Sequence, residues 1–178
     1  IKFVNHKNKS LSDEKDNLYH FDKLVIATGS KNNLLGIDTK DYQKGNFFSL
    51  RNLEDSKRIR KKISEVQTIT IIGAGFIGLE IATTALQLNK DVTIIENSEN
   101  VMGRSISKDL SRWLIDYYTK SGIKFIFNKS FKSFKSDENS IMNVVLSDDT
   151  KINSGMLLIS AGSQPVSYTH LTLPTMMS

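Results

Sequence analysis

Three glycines and one carboxylate carry the chemistry most plainly legible in this chain. Gly73, Gly75 and Gly78 fall in the spacing G-x-G-x-x-G, and Glu96 follows about 20 residues on. In a dinucleotide site each glycine has its own job. Gly73 permits a tight turn, Gly75 lets a diphosphate approach the backbone, and Gly78 lets a helix pack close to a strand. The N–H groups of the turn and of the first helical residues, Phe76 and Ile77 among them, then face the phosphates at the positive end of the helix dipole. A carboxylate at Glu96 accepts hydrogen bonds from a bare ribose diol and repels a 2′-phosphate. No Lys or Arg stands at Asn97, Ser98, Glu99 or Asn100, and the nearest basic residue downstream is Arg104. The expectation is a site for NADH in preference to NADPH, with Arg104 within its reach.

The elements that must position these residues read off in order. Thr68–Ile72 is β-branched throughout, as a parallel strand covered on both faces is. A helix follows from Phe76 to Leu88, apolar nearly all round, and Asn89-Lys90-Asp91 ends it. Val92–Ile95 is the next strand and Glu96 closes it. Strand, glycines, helix, strand and acid thus fit within about 30 residues. The plainer alternative is a βαβ unit whose glycines serve packing and whose Glu96 is a solvated strand end. Glu80 is the only charge between Gly73 and Asn89. Either it rests near a helix N-terminus, where negative charge is favoured, or it serves the site.

The 178 residues suffice for a sizeable core, and the net charge of +5 is modest. The basic residues form no stripe with interleaved aromatics, so nucleic acid is not expected as a partner. No apolar run reaches membrane-spanning length and no signal peptide is visible, so a cytoplasmic protein is expected. The absence of cysteine excludes a disulfide or thiol chemistry within these residues. His6 and His20 have no partners at ligand spacing, and no metal site is expected. Ile1–Val4 and Leu18–Phe21 read as a hairpin, with polar Asn5–Asn17 as its loop.

Phe21–Ser30 reads as a buried strand ending in small residues, which is either a plain exit to a turn or a place where a ligand comes near the backbone. Gly36–Gly45 reads as a linker. A helix is expected over Leu53–Ile63, with Glu54 and Asp55 in its first turn and Arg60, Lys61 and Lys62 in its last. Its cluster Lys57-Arg58-Arg60-Lys61-Lys62 is a solvated face or a dock for an acidic electron acceptor. A further helix starts after Ser107 and runs to Lys120, with Leu110, Trp113, Leu114 and Tyr117 as its buried stripe. Ile123–Phe127 is a third strand. Segments at Phe131 and Phe134, at Ile141–Leu146 and at Thr150–Ile152 make an antiparallel meander, with turns at Asp137–Asn139 and Ser147–Asp149. Met156–Ile159 returns as a last buried strand.

The stretch Asp22–Ser30, followed by the glycine unit, resembles the two-dinucleotide flavoprotein reductases, the pyridine nucleotide–disulfide oxidoreductase-like family. Phe47–Asp55 resembles that family's approach to its inserted NAD domain. Met102–Ser107 and the helix after it resemble the branch of ferredoxin, rubredoxin and putidaredoxin reductases. The resemblance implies an α/β fold, a Rossmann-like NAD-binding domain of parallel sheet plus antiparallel meander, inserted in a partial FAD-binding domain. It assigns residues 1–45 to the FAD domain and linker, 46–162 to the NAD(H) domain and 163–165 to the return. It implies that Ala27, Thr28 and Gly29 lie beside FAD, that Glu80 lies near the nicotinamide and flavin rings, and that Ala161 and Gly162 approach the nicotinamide. Gly155 and Ser160 depart from the family pattern, which has Asp and Gly there. The implied activity is FAD-dependent passage of electrons from NADH to a ferredoxin- or rubredoxin-type iron–sulfur protein, with no side chain here as nucleophile. Alternatives are an NADH oxidase or coenzyme A–disulfide reductase relative with its cysteine elsewhere, or an apoptosis-inducing-factor-like flavoprotein acting through protein interaction. The chain starts at Ile1, and residues 166–178 resemble translated adapter sequence. It is therefore read as an internal fragment with a non-native tail.

Overall fold

The computed structural model describes residues 1–37, 46–136 and 142–166. Most of the expected linker, the turn at Asp137–Asn139 and nearly all of the expected tail lie outside the described residues. The chain divides into two compact units, one of residues 1–31 with those from 164 onward, the other of residues 32–163.

The larger unit is built on a five-stranded sheet. Its strands are β5 (Phe47–Phe48), β6 (Thr68–Ile72), β7 (Asp91–Ile95), β8 (Lys124–Ile126) and β12 (Met156–Ile159), in the order β5-β12-β6-β7-β8. Every pairing is parallel. The two-residue period of a strand sorts its side chains between the faces. Ile69, Ile71, Val92, Ile94, Met156 and Leu158 point to one face and join one core cluster. Ile72, Ile95, Leu157 and Ile159 point to the other and join a second.

Helices cover the first face: α1 (Leu53–Glu65), α2 (Phe76–Gln87) and α3 (Lys108–Lys120). A second, antiparallel sheet covers the other, with β9 (Phe131–Ser136), β10 (Met142–Leu146) and β11 (Lys151–Ser154) in the order β11-β10-β9. Val144 and Leu146 are its buried contribution, and Phe134 stacks on Phe47 at 5.9 Å between centroids. The expected meander is thus a separate layer packed on the parallel sheet.

α1 begins one residue after Asn52, whose side chain accepts from the Asp55 N–H while the Asp55 carboxylate accepts from the Asn52 N–H. Such a reciprocal cap stabilises a helix start by about 1 kcal/mol. Ile59 and Ile63 are its buried face. Of its basic cluster, Lys57 and Lys62 pair with Glu54 and Glu65, and Arg58 lies over the Phe48 ring. Arg60 and Lys61 are exposed.

The expected stripe of α3 is corrected. Leu110, Trp113 and Tyr117 are 46%, 60% and 54% exposed. The inward face is Ser111, Leu114, Ile115 and Tyr118. Both stripes have helical spacing, and they differ by a rotation of about 100°. The buried one contains a serine, whose hydroxyl donates to the Val101 carbonyl at 2.8 Å. That bond makes a polar residue acceptable inside and turns Trp113 out, where it stacks on Tyr117.

In the smaller unit β1 (Phe3–Asn5), β2 (Ser10–Ser12) and β3 (Leu18–His20) form an antiparallel sheet with β2 in the middle. The expected hairpin loop therefore contains the central strand, pinned by Lys9 and Asp16 at positive φ. The expected buried strand over Phe21–Ser30 is also corrected. Residues 22–29 carry no regular structure and Val25 is 86% exposed. A central parallel strand exists only where neighbours pair both its edges, and among the described residues none pairs with this segment. Only Ser30–Asn32 forms a strand, β4, against β13 (Ser163–Pro165), where the chain passes between the units. Among the described residues no helix is long and apolar enough to cross a membrane.

The turn after β10 carries a titratable link. Asp148 accepts from the Lys129 ammonium at 2.7 Å and from the Thr150 N–H. The lysine hydrogen bond, chiefly, lowers its pKa from 3.8 to about 2. A depressed carboxylate contributes stability that is complete above its unfolded pKa and disappears as pH falls through its folded value. An NMR titration is expected to give Asp148 a midpoint near 2, returning toward 3.8 in Lys129→Met.

Candidate functional site

Parallel pairing of β12, β6 and β7 brings their C-terminal ends side by side. In an open α/β sheet that edge is where ligands bind. The glycine turn leaves β6 there. Its Gly73 has φ +102°, a conformation that L side chains rarely adopt, and its N–H donates to the Ile95 carbonyl at 2.8 Å. A Cβ on Gly78 would lie 2.2 Å from the Gly73 carbonyl oxygen. Only a residue without a side chain lets α2 start so close to the strand it follows.

Gly75 differs from both. Its φ is −83°, and a Cβ there would meet nothing within 4 Å. It is the N-cap of α2, with no side-chain cap hydrogen bond. α1 and α3 use Asn52 and Ser107 as caps. The first-turn amides of α2, those of Phe76, Ile77 and Gly78, are thus left for water or a ligand. Phe76 and Ile77 themselves are exposed.

Glu96 comes to the same place. Its Oε2 accepts from the Ala74 N–H at 2.9 Å, inside the glycine turn. Its Oε1 accepts from the Ser98 N–H and from the Ser98 hydroxyl, both at 3.0 Å. The Ala74 carbonyl in turn accepts from the Met102 N–H at 2.9 Å. The turn, the strand-ending acid and the loop after it are therefore one hydrogen-bonded assembly, and Glu96 is half-buried in it. Its remaining lone pair suits a neutral diol, and its charge opposes a phosphate.

The third strand end contributes Ser160. Its N–H donates to the Ile72 carbonyl at 2.8 Å, and its hydroxyl lies 3.1 and 3.0 Å from the Ile72 and Gly73 carbonyl oxygens. The Ser160 side chain, at a position where the resemblance implies Gly, thus fastens β12 to the turn. The sequence marked the position as unusual without revealing this contact. Beyond it Ala161 is half-buried and Gly162 exposed. Both their carbonyls accept from Asn33, at 3.4 Å from its side chain and 3.0 Å from its N–H. Gly155, the other departure, lies at the opposite end of β12, where a Cβ would be 2.8 Å from that of Val66.

Glu80, the one charged residue of α2, is exposed. It lines a cleft of about 540 Å³ between α2 and α3, with Phe76, Leu79, Met102, Leu110 and Leu114 among its neighbours. Arg104 is exposed in the loop between Met102 and α3. Ala27, Thr28 and Gly29 belong to the smaller unit, exposed and outside regular structure. Sequence reading passed over Ser98 and Asn33; short polar residues just past strand ends were the available signal.

The pattern of the pyridine nucleotide-disulphide oxidoreductase family matches residues 2–175. The chain belongs to that family. Among curated members it is 31% identical over 149 residues to a terpredoxin reductase of Pseudomonas sp, covering 83% of this chain and 36% of that one. To a rubredoxin-NAD(+) reductase of Ectopseudomonas oleovorans it is 29% identical over 162 residues, covering 91% and 41%. It therefore spans roughly two fifths of the length of these family members. Among solved structures, a ferredoxin reductase from Rhodopseudomonas palustris matches with a TM-score of 0.78 at 24% identity, covering 93% of this chain and 40% of that one. This last likeness speaks to the fold, a Rossmann-like α/β arrangement.

The glycines make separable claims on the fold. Gly78→Ala is expected to lower stability by about 3 kcal/mol through overpacking against a backbone oxygen. Gly75→Ala is expected to cost at most about 1 kcal/mol, the preference for Gly over Ala at an N-cap. Urea denaturation of the two variants beside the parent measures both.

Proposed function

We propose that this chain is the NADH-binding module of a flavin-dependent NADH oxidoreductase whose electrons pass to a small ferredoxin- or rubredoxin-type protein. The observation that carries the proposal is the Glu96 carboxylate hydrogen-bonded to the Ala74 amide. It sets Glu96 against the glycine turn, an arrangement that suits a ribose and a diphosphate side by side. Relatives named for terpredoxin, ferredoxin and rubredoxin support the kind of acceptor. A solved covalent complex of putidaredoxin reductase with putidaredoxin, at 24% identity and a TM-score of 0.78, has the same fold.

In this reading NADH is the substrate. Its diphosphate lies on the amides of Gly73 to Gly78, with the open side of Gly75 toward it. Glu96 holds the adenosine ribose, and Arg104 borders that end. Ala161 and Gly162 offer backbone at the nicotinamide end, while Glu80 offers a carboxylate from the cleft between α2 and α3. FAD, when bound, supplies hydride acceptance and release of single electrons. Ala27, Thr28 and Gly29 are this chain's own contribution beside it. As exposed residues of an irregular segment they form no cradle by themselves. The work of the described residues is to bind and orient NADH, which lowers a hydride-transfer barrier by positioning.

Calorimetry with NADH and with NADPH tests the proposal. The parent chain is expected to bind NADH more tightly than NADPH. Glu96→Arg is expected to weaken NADH binding by about tenfold or more, the loss of hydrogen bonds to a charged group, and to strengthen NADPH binding. Gly75→Ala is expected to weaken both coenzymes while the fold persists. Equal affinities for NADH in the parent and in Glu96→Arg would remove Glu96 from the site.

A further inference from the structure

The Glu96 carboxylate is committed before any coenzyme arrives. A carboxylate offers four lone-pair sites. The Ala74 N–H takes one on Oε2 and the Ser98 N–H one on Oε1. The Ser98 hydroxyl takes a third, on Oε1 at 3.0 Å. That leaves one site for a ribose diol, which has two hydroxyls to donate.

The Ser98 hydroxyl has a second acceptor within reach. Its oxygen lies 2.9 Å from the Asn100 carbonyl oxygen and 3.4 Å from the Asn100 N–H. A hydroxyl carries one proton, so it donates to Glu96 or to Asn100 at any moment. Turning about its Cβ–Oγ bond moves the proton from one to the other and frees Oε1.

Building on the coenzyme reading above, we propose that Ser98 is a positioning and specificity-determining residue, whose hydroxyl orients the Glu96 carboxylate in the free protein and yields its place to the ribose diol on binding. Glu96 is half-exposed on a flexible stem, and three donors hold it in one rotamer beside the turn. Fixing it beforehand removes an ordering cost from binding. The Asn100 carbonyl keeps the displaced hydroxyl satisfied, so release leaves no orphaned donor. The same arrangement acts against NADPH, since a carboxylate locked beside the turn cannot swing away from a 2′-phosphate. Ser98 thus acts through Glu96 alone.

A double-mutant cycle read by calorimetry with NADH and NADPH on the chain tests this. Ser98→Ala is expected to weaken NADH binding by about fivefold and to leave NADPH binding no weaker. Ser98→Thr keeps the hydroxyl and is expected to restore NADH affinity to within about twofold. In a Glu96→Ala background Ser98→Ala is expected to change nothing further, because the group it orients is gone. Equal weakening of both coenzymes, an undiminished effect without Glu96, or no effect of Ser98→Ala would overturn the inference while the NADH site stands. Failure of the parent chain to bind NADH at all would overturn both.

Discussion

The close approach of Gly78 to the Gly73 carbonyl is the constraint on which the site depends. A Cβ on Gly78 would lie 2.2 Å from that oxygen, so no side chain fits between the start of α2 and the end of β6. That nearness aims the uncapped first turn of the helix at the edge where three strands finish. It also leaves a gap that the Ser160 hydroxyl fills, lying 2.8 Å from where a Gly78 Cβ would be. The glycines therefore act in opposite senses. Gly73 and Gly78 are filled in by the protein, whereas Gly75 faces open space.

The sheet keeps this edge in register. Ile72 pairs with Ile95 and with Ile159, so the residues that follow, Gly73, Glu96 and Ser160, emerge level with one another. Apolar side chains on both faces fix that register, since a slip of one residue would exchange the two core clusters. Helices on one side and the antiparallel sheet on the other are thus means of holding three strand ends together. Hydrogen bonds of Gly73 to Ile95, of Ala74 to Glu96 and of Ser160 to Gly73 then complete the assembly.

Carboxylate, turn and loop illustrate how little of this arrangement comes from charge. Surface ion pairs such as those on α1 are screened and contribute little. Glu96 is held by N–H and O–H donors, and one lone-pair site remains for a neutral diol.

What the sequence determined by itself is local and periodic: the β-branched strands, the glycine spacing, the acid at the strand end, and the helix starts marked by short polar residues. Each is set by neighbours within a turn or a pleat, so it can be read without knowing the partner. Tertiary structure alone decided the rest. Which of two overlapping stripes on α3 faces inward depended on a carbonyl at Val101 ready to receive the Ser111 hydroxyl. Whether Phe21–Ser30 is a strand depended on neighbours to pair with, and the described residues supply none. The contacts of Ser98 and Ser160 join residues that lie near one another only because parallel strands end together, and no spacing along the chain encodes that meeting.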